Sequence, residues 1–218
     1  MFRFLSGIVR FLGWAILTAL GWLLLARLVK QFVHIPAPAF VAGFLNSRFR
    51  RSLQPPEQVV GWMDIRAGMQ VLELGPGPGT FTVEVSRRVG PAGRITAVDI
   101  QPEMIAKLET TLQAAGVTNV TPRVASAYEL PLSDAGVDRA YMVTVLAEIP
   151  DPVRALREIH RVLKPDGLLA VGEFLPDPDY PLRRTVIGWC RQAGFELVRE
   201  HGAFWHYVLV FRKDAYER

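Results

Sequence analysis

The sequence predicts an α/β fold: a doubly wound, mostly parallel seven-stranded sheet with a C-terminal antiparallel hairpin, preceded by a hydrophobic N-terminal helix. From residue 55 onward, short apolar runs alternate with helical patterns, which is typical of repeated β-α units with buried strands. The last two apolar runs follow each other closely enough to pair as a hairpin. A separate uncharged run near the N-terminus predicts the additional helix.

Each predicted strand is a short run rich in apolar residues. The strands are residues 70–74, 95–98, 119–125, 139–145, 168–174, 195–200 and 205–211. Proline at the first turn or glycine after the last marks several of the predicted helices. The helices are residues 56–64, 80–89, 102–115, 152–163 and 182–193.

The N-terminal run Phe11–Ala26 reads FLGWAILTALGWLLLA and contains no charge. With its apolar flanks it covers about 22 positions, which as a helix would be about 33 Å long, close to the hydrocarbon thickness of a bilayer. We therefore predict a transmembrane or membrane-anchor helix within residues 1–30. A cleaved signal peptide and a buried or interfacial helix remain as alternatives.

Charge indicates how this anchor is oriented. More basic residues follow the apolar run than precede it, including Arg27, Lys30 and a cluster at 48–51, so we expect the following domain to face the cytoplasm. The net charge of +4 arises largely near the anchor, where basic residues attract anionic lipid, and we expect no nucleic-acid partner. Cys190 is the only cysteine and forms no intramolecular disulfide. No histidine or cysteine spacing indicates a metal site, so none is predicted.

Residues 31–54 form a basic amphipathic linker before a domain at 55–218. Two interpretations of the linker remain open: a helix packed on the domain, or a segment in the lipid headgroup region that forms an apolar entrance to the active site. The residues concerned are Phe40, Phe44, Leu45, Phe49, Arg48, Arg50 and Arg51.

The stretch VLELGPGPGT, residues 71–80, ends the first predicted strand with alternating glycines. Glycine lets the backbone turn sharply and approach a ligand, and open α/β sheets bind ligands beyond the carboxyl ends of their strands. The G-x-G-x-G spacing differs from the G-x-G-x-x-G of dinucleotide sites, and no Gly-Lys-Ser/Thr follows. Asp99 ends the second strand, where its carboxylate can accept both ribose hydroxyls of a nucleoside.

Four stretches resemble motifs of the class I S-adenosylmethionine-dependent methyltransferases, in the subgroup of ubiquinone and menaquinone methylases. They are VLELGPGPGTFT, ITAVDIQPEMI, VASAYELPLSDAGVDRAYMVTVLAEIPDP and ALREIHRVLKPDGLLAVGEF. The resemblance covers residues 55–213. It implies a Rossmann-like fold, S-adenosyl-L-methionine as the cofactor and methyl transfer as the activity.

The resemblance also implies which residues bind the cofactor. The glycine loop would face the methionine part, Glu73 its amino group, Asp99 the ribose, and Thr144, with Val145, would lie under the sulfonium. The full set is Glu73, Gly75, Gly77, Gly79, Thr80, Asp99, Ile100, Met104, Ser126, Ala127 and Thr144. Ile100 and Met104 would flank the adenine. At the adenine edge, where the family often has an acidic residue before a small one, this sequence has Ser126-Ala127, which offers a hydroxyl without charge.

Methyl transfer needs an in-line arrangement, and a general base only when the acceptor arrives protonated. Glu148 is the candidate base, at a place where related enzymes often carry histidine; an exposed loop carboxylate is the alternative. Tyr128 either shapes the acceptor pocket or packs. We expect His160 to be solvated, and His201 and His206 lie near the final hairpin, where a catalytic part stays open.

The anchor favours a lipophilic acceptor, because a tethered enzyme meets membrane-dissolved substrates more often. We expect a quinone precursor, a lipid head group, or a hydrophobic thiol or phenol. The alternatives are a non-catalytic S-adenosylmethionine-binding membrane protein and, disfavoured by the glycine spacing and the hairpin, an NAD-dependent oxidoreductase. The oligomeric state is not indicated by the sequence.

Overall fold

The computed structural model describes residues 48–175, 177 and 179–214, together with Gly13, Trp14, Thr18 and Gly21. The predicted N-terminal anchor, and the predicted linker up to residue 47, therefore lie outside the described residues apart from those four positions. No helix within the described part of the chain combines the length and the apolar character needed to cross a bilayer.

The described chain alternates strands and helices in the order that the sequence predicts. The helices are α1 Arg48–Leu53, α2 Pro56–Gly61, α3 Thr82–Val89, α4 Pro102–Ala114, α5 Pro152–Val162 and α6 Arg183–Gln192. The strands are β1 Gln70–Leu74, β2 Arg94–Asp99, β3 Val120–Val124, β4 Val137–Val143, β5 Leu163–Phe174, β6 Phe195–Ala203 and β7 His206–Lys213. A 3₁₀ turn at Leu146–Glu148 follows β4.

The seven strands form one sheet in the order β3-β2-β1-β4-β5-β7-β6. The first five strands are parallel, and β7 runs antiparallel to both β5 and β6. The predicted seven-stranded sheet with its C-terminal hairpin is confirmed. Because β1 lies between β2 and β4, the strand order reverses beside it, and the carboxyl ends of these three strands open a crevice.

Helices cover both faces of the sheet, as a doubly wound fold requires. One core cluster joins α5 and α6, through Ile159 and Cys190, to strand residues such as Leu72. A second joins α2 and α3, through Val59 and Val85, to the opposite face, and a smaller third cluster packs α4 on β2. Along β7 the side chains alternate between the first two clusters, because successive residues of a strand point to opposite faces.

Several element boundaries differ from the sequence prediction, and three of these differences have a clear structural reason. β4 ends at Val143, since Thr144 has a φ of 56°, which extended backbone does not adopt. β5 begins five residues earlier than predicted, because buried Leu163 pairs with Val137 of β4. The strand register then shifts before Leu168 pairs with Arg139. α3 begins at Thr82, because residues 76–79 form a turn in which the Gly79 N–H donates to the Pro76 carbonyl at 3.0 Å.

Candidate active site

A cavity of about 180 Å³ lies at the carboxyl edge of the sheet, where β1, β2 and β4 end. Its wall is mainly apolar and comes from the loops that follow the first four strands. Eleven of the thirteen predicted site residues line it: Gly75, Gly77, Thr80, Asp99, Ile100, Met104, Ser126, Ala127, Tyr128, Thr144 and Glu148. Glu73 and Gly79 do not line it.

The glycine loop after β1 adopts backbone that disfavours other residues. Gly75, Gly77 and Gly79 have φ values of 67°, 52° and 90°, all in the left-handed region. A Cβ at Gly75 would lie 2.4 Å from Cγ2 of Val145, so this loop packs directly against the chain that follows β4. A Cβ at Gly79 would instead meet Leu108 of α4 at 2.9 Å, so the third glycine allows helix packing rather than lining the cavity.

Asp99 ends β2 at the cavity wall, and 8% of it is exposed. Its Oδ1 accepts a hydrogen bond from the Gln101 N–H at 2.9 Å. Burial raises the pKa of the carboxyl, while backbone N–H groups of Gln101, Gly77 and Ile100 oppose the rise. The two carboxylate oxygens have about four acceptor sites, so the backbone contacts leave capacity for a diol.

Glu73 lies on β1 beneath the loop and is buried. Burial raises the pKa of its carboxyl to about 7, and the nearby hydroxyls of Thr82 and Tyr141 oppose the rise. Within the described residues, however, none of Glu73 Oε2, Thr82 Oγ1 and Tyr141 Oη makes a hydrogen bond of good geometry. The predicted contact between Glu73 and the amino group of the cofactor stays a prediction, since Glu73 does not line the cavity.

The wall predicted to hold adenine brings together residues from two loops. Met104 is buried, whereas Ile100 is 61% exposed at the cavity mouth. Ser126 and Ala127 follow β3 and line the same cavity. The Ser126 hydroxyl accepts a hydrogen bond from the Tyr128 N–H at 3.1 Å, which fixes this turn.

Arg50 of α1 is a cavity residue that sequence reasoning placed only in the linker. It is 6% exposed, and its Nη2 donates to Thr144 Oγ1 at 3.0 Å. Burial lowers the pKa of this guanidinium, while Asp177, Glu148 and Glu173 raise it. Gln54 is also buried, so the end of the predicted linker packs on the domain, while the linker up to residue 47 lies outside the described residues.

An acidic group lies beside Arg50. Carboxylate oxygens of Glu148, Asp177 and Asp179 lie within 4.8 Å of one another, an arrangement that could hold a hard cation. Buried Glu173 lies behind them; burial and these carboxylates raise its pKa well above the ordinary value. The prediction of no metal site considered only histidine and cysteine spacing, and this group consists of carboxylates, one of which, Glu148, is far in sequence from Asp177 and Asp179.

Tyr128 is held at both ends. Its hydroxyl accepts from the Asp151 N–H at 2.9 Å, and the Arg154 guanidinium lies 4.6 Å from its ring centroid. The side chain is therefore fixed as part of the wall.

The three histidines among the described residues do not line the cavity. The ring of His160 packs edge-on against Phe195 and is half-buried, so the expectation that it is solvated is wrong. His201 and His206 pack against Trp62 and do not line the cavity.

With this geometry in place, comparison with known proteins gives a consistent result. Residues 71–167 match a family model described as a methyltransferase domain. The ubiquinone/menaquinone biosynthesis C-methyltransferase of Shewanella frigidimarina is 38% identical over 153 residues, which are 70% of this chain and 58% of that protein. The demethylmenaquinone methyltransferase of Geobacillus stearothermophilus is 31% identical over 120 residues, 55% of this chain and 51% of that protein. The chain thus spans about half the length of the curated relatives it matches.

Solved structures share the fold over a larger part of the chain. An S-adenosylmethionine-dependent methyltransferase from Aquifex aeolicus has a TM-score of 0.76 and 25% identity, and the match covers 81% of this chain and 98% of that one. One from Mesorhizobium loti, at 15% identity and a TM-score of 0.61, covers 73% of this chain and 99% of that one, and shows the fold alone. Over residues 71–167 the chain thus matches a methyltransferase domain, and the relatives and the Aquifex structure indicate S-adenosyl-L-methionine as its cofactor.

Proposed function

We propose that this protein is an S-adenosyl-L-methionine-dependent methyltransferase that is anchored to the membrane by residues 1–30, with its domain in the cytoplasm, and methylates a lipophilic small molecule. The acceptor classes are a quinone precursor, a lipid head group, or a hydrophobic thiol or phenol. The observation that carries the proposal is one cavity whose lining includes both the residues predicted to bind the nucleoside, such as Asp99 and Met104, and apolar residues beside Glu148.

The residues of the cavity fit the cofactor. Asp99 offers carboxylate oxygens on the cavity wall, Met104 and Ile100 offer apolar surface for a base, and the glycines leave the backbone open. When bound, S-adenosyl-L-methionine supplies a methyl group on a positively charged sulfur that leaves as a neutral thioether.

The wall near Glu148 supports an apolar acceptor. Val145, Ile149 and Pro150 line this part of the cavity, and fixed Tyr128 lies beside them. Holding the attacking atom in line with the methyl group lowers the barrier by several kcal/mol, and a rigid wall serves this. In our proposal the Glu148 carboxylate takes the proton that the acceptor loses as its new bond to carbon forms.

Relatives support the quinone precursor among the acceptor classes. The names of the Shewanella and Geobacillus proteins are those of ubiquinone and menaquinone methyltransferases. Those names describe the relatives, and they make quinone precursors the first acceptor class to test.

The test uses the full chain in lipid vesicles with methyl-labelled S-adenosyl-L-methionine and an extract of membrane lipids, separated afterwards by chromatography. We expect label in an apolar product, and Glu148→Gln to reduce turnover while cofactor binding is retained. If the protein binds the cofactor but no pool of quinones, lipids or thiols takes up label, the proposal is wrong. That result would favour the alternative of a non-catalytic cofactor-binding membrane protein.

A further inference from the structure

Two large aromatic side chains are exposed at the turn between β6 and β7. Phe204 is 65% exposed and Trp205 is 44% exposed, and Leu182, just before α6, is 42% exposed. We call Phe204, Trp205 and Leu182 the apolar tip. Single exposed apolar residues are common, but two adjacent aromatics in one tight turn call for an explanation.

The strand topology places the tip at the same edge of the sheet as the cavity. β7 runs antiparallel to β5, and Phe174, at the carboxyl end of β5, pairs with His206 at the start of β7. The Leu175 N–H donates to the Trp205 carbonyl at 2.8 Å. The turn before β7 must therefore lie where the parallel strands end, which is where the cavity opens.

The tip is rigidly held. Arg183 Nη2 donates to the carbonyls of Gly202 and Ala203 at 2.9 and 3.0 Å. The Tyr180 ring packs edge-on against Phe204, with centroids 6.1 Å apart, and its hydroxyl donates to the Phe204 carbonyl. The turn that carries the two exposed aromatic side chains is thus fixed by hydrogen bonds and ring contacts.

The N-terminal part of the chain joins the domain beside this tip. Arg50 of α1 lies with its Cζ 5.9 Å from the centroid of the Phe174 ring, and that ring packs edge-on against Trp205 at 6.2 Å. The 47 residues before α1 include the uncharged run Phe11–Ala26. The chain that would attach the protein to a bilayer therefore enters at the edge that carries the tip.

Arginine side chains accompany the apolar tip. Arg184 is exposed two residues after Leu182, and Arg183 is half-buried and pairs with Glu200 at 3.1 Å. Several acidic side chains also lie near this edge: Asp177 and Asp179 belong to the group next to Arg50, and Glu200 is the partner of Arg183. Aromatic side chains flanked by arginine are the composition that enters the headgroup layer of a membrane.

We propose that the apolar tip lies in the headgroup layer of an anionic bilayer, as a second membrane contact that turns the cavity mouth towards the lipid. This inference rests on the membrane attachment in the proposed function and deepens it, because it states which face of the domain meets the lipid. An acceptor dissolved in the bilayer would then reach the cavity without crossing water.

The experiment labels single thiols on the full chain in vesicles of phosphatidylcholine and phosphatidylserine. Cys190 is fully buried, so a thiol-reactive fluorophore is directed to an introduced cysteine, and the parent chain measures background labelling. Phe204→Cys reports on the tip. Arg212→Cys is the matched control, because Arg212 is exposed on the same strand but pairs with Leu168 at the opposite end of β5.

We expect the label at position 204 to be quenched by headgroup nitroxide lipids and protected from iodide, and the label at 212 to show the reverse. If the protein floats with the vesicles but iodide alone quenches both labels, the protein binds membrane without using the tip. That result overturns the inference about the tip and leaves the predicted N-terminal anchor in place. If position 204 is shielded from both quenchers, a second protein copy covers it, which also overturns the proposal. If the protein does not float with vesicles, the proposed membrane attachment is wrong, and the inference about the tip is overturned with it.

Discussion

At the scale of single residues, two buried carboxylates on neighbouring strands differ in their access to the cavity. Asp99 is kept accessible by its place at the end of β2, while Glu73, one strand away, is enclosed. Asp99 already accepts a backbone hydrogen bond, so it is oriented before any ligand arrives. Pre-orientation reduces the entropy that binding must overcome.

Asp99→Ala should weaken binding of S-adenosyl-L-methionine by about 1–3 kcal/mol, because a charged hydrogen-bond acceptor is lost. Isothermal titration calorimetry measures the change. Glu103→Ala is the matched control, since this acidic residue is exposed on the first turn of α4 and does not line the cavity. Equal affinities for wild type and Asp99→Ala would mean that the ribose lies elsewhere.

Glu73 should make stability depend on pH. Its folded pKa of about 7 exceeds the ordinary value of 4.5, so the folded state holds a proton that the unfolded chain releases. Stability from this group is complete below about pH 4.5 and is lost as the pH rises through 7. From pH 5 to pH 8, wild type should lose about 2–3 kcal/mol of unfolding free energy relative to Glu73→Gln.

Urea unfolding of the cofactor-free protein at the two pH values tests this expectation. Glu109→Gln, on an exposed position of α4, controls for the loss of a carboxylate. A constant difference between wild type and Glu73→Gln at both pH values would contradict the assigned protonation.

The residues of the site were predictable only where a local pattern carries them. The glycines and Asp99 follow strands that apolar runs reveal, and most of them line the cavity. Arg50 lies in a segment with no strand or motif beside it, so that tertiary packing alone brings it to the wall, and Asp177 lies in the loop after β5, for which no site residue was predicted. Gly79 shows the opposite error. It was predicted to bind the cofactor because it occupies a motif position, but it packs against Leu108 of α4.

At the scale of elements, the loop from β1 to α3 packs against the chain that leaves the end of the neighbouring strand β4. Gly75 combines left-handed backbone with a Cβ direction that points into Val145, which follows β4. Thr144, also with positive φ, begins that same chain segment. Strained backbone that persists in a well-packed fold is frequent at binding sites.

Gly75→Ala should therefore cost more than Gly68→Ala. Gly68 has a φ of 81°, but a Cβ added there would meet nothing within 4 Å, so its substitution carries only the left-handed penalty of about 1–2 kcal/mol. Gly75→Ala adds the clash with Val145 and should also weaken cofactor binding. Urea unfolding and cofactor titration on both variants measure this; equal losses would contradict the close approach.

Element types were predictable because each strand is a compact apolar run, but some ends were not. The end of β4 depends on the φ of Thr144, which its amino-acid type disfavours. The start of β5 depends on the pairing of Leu163 with Val137, a contact between segments that local sequence does not encode.

At the scale of the whole molecule, β7 connects the two layers. Its residues enter both core clusters alternately, with Phe211 fully buried in one and Val210 in the other. Since β7 lies between β5 and β6, it joins the C-terminal hairpin to the parallel part of the sheet.

Phe211→Ala should destabilise the domain by about 3–5 kcal/mol, because it leaves a cavity in a packed core. Arg212→Ala, its neighbour, should cost less than about 1 kcal/mol, since its ion pair with Glu196 is exposed. Denaturant unfolding compares the two variants. Similar losses would mean that β7 is not a core strand.

The interior position of β7 has a consequence for how the protein is made. β5 leaves the ribosome before β7, yet its outer edge is covered only when residues 206–213 arrive. Until then the nascent chain presents unpaired backbone next to apolar side chains, a surface that invites association with other chains. Translation pauses between residues 174 and 206 would prolong that vulnerable interval, and chaperone capture should be strongest there.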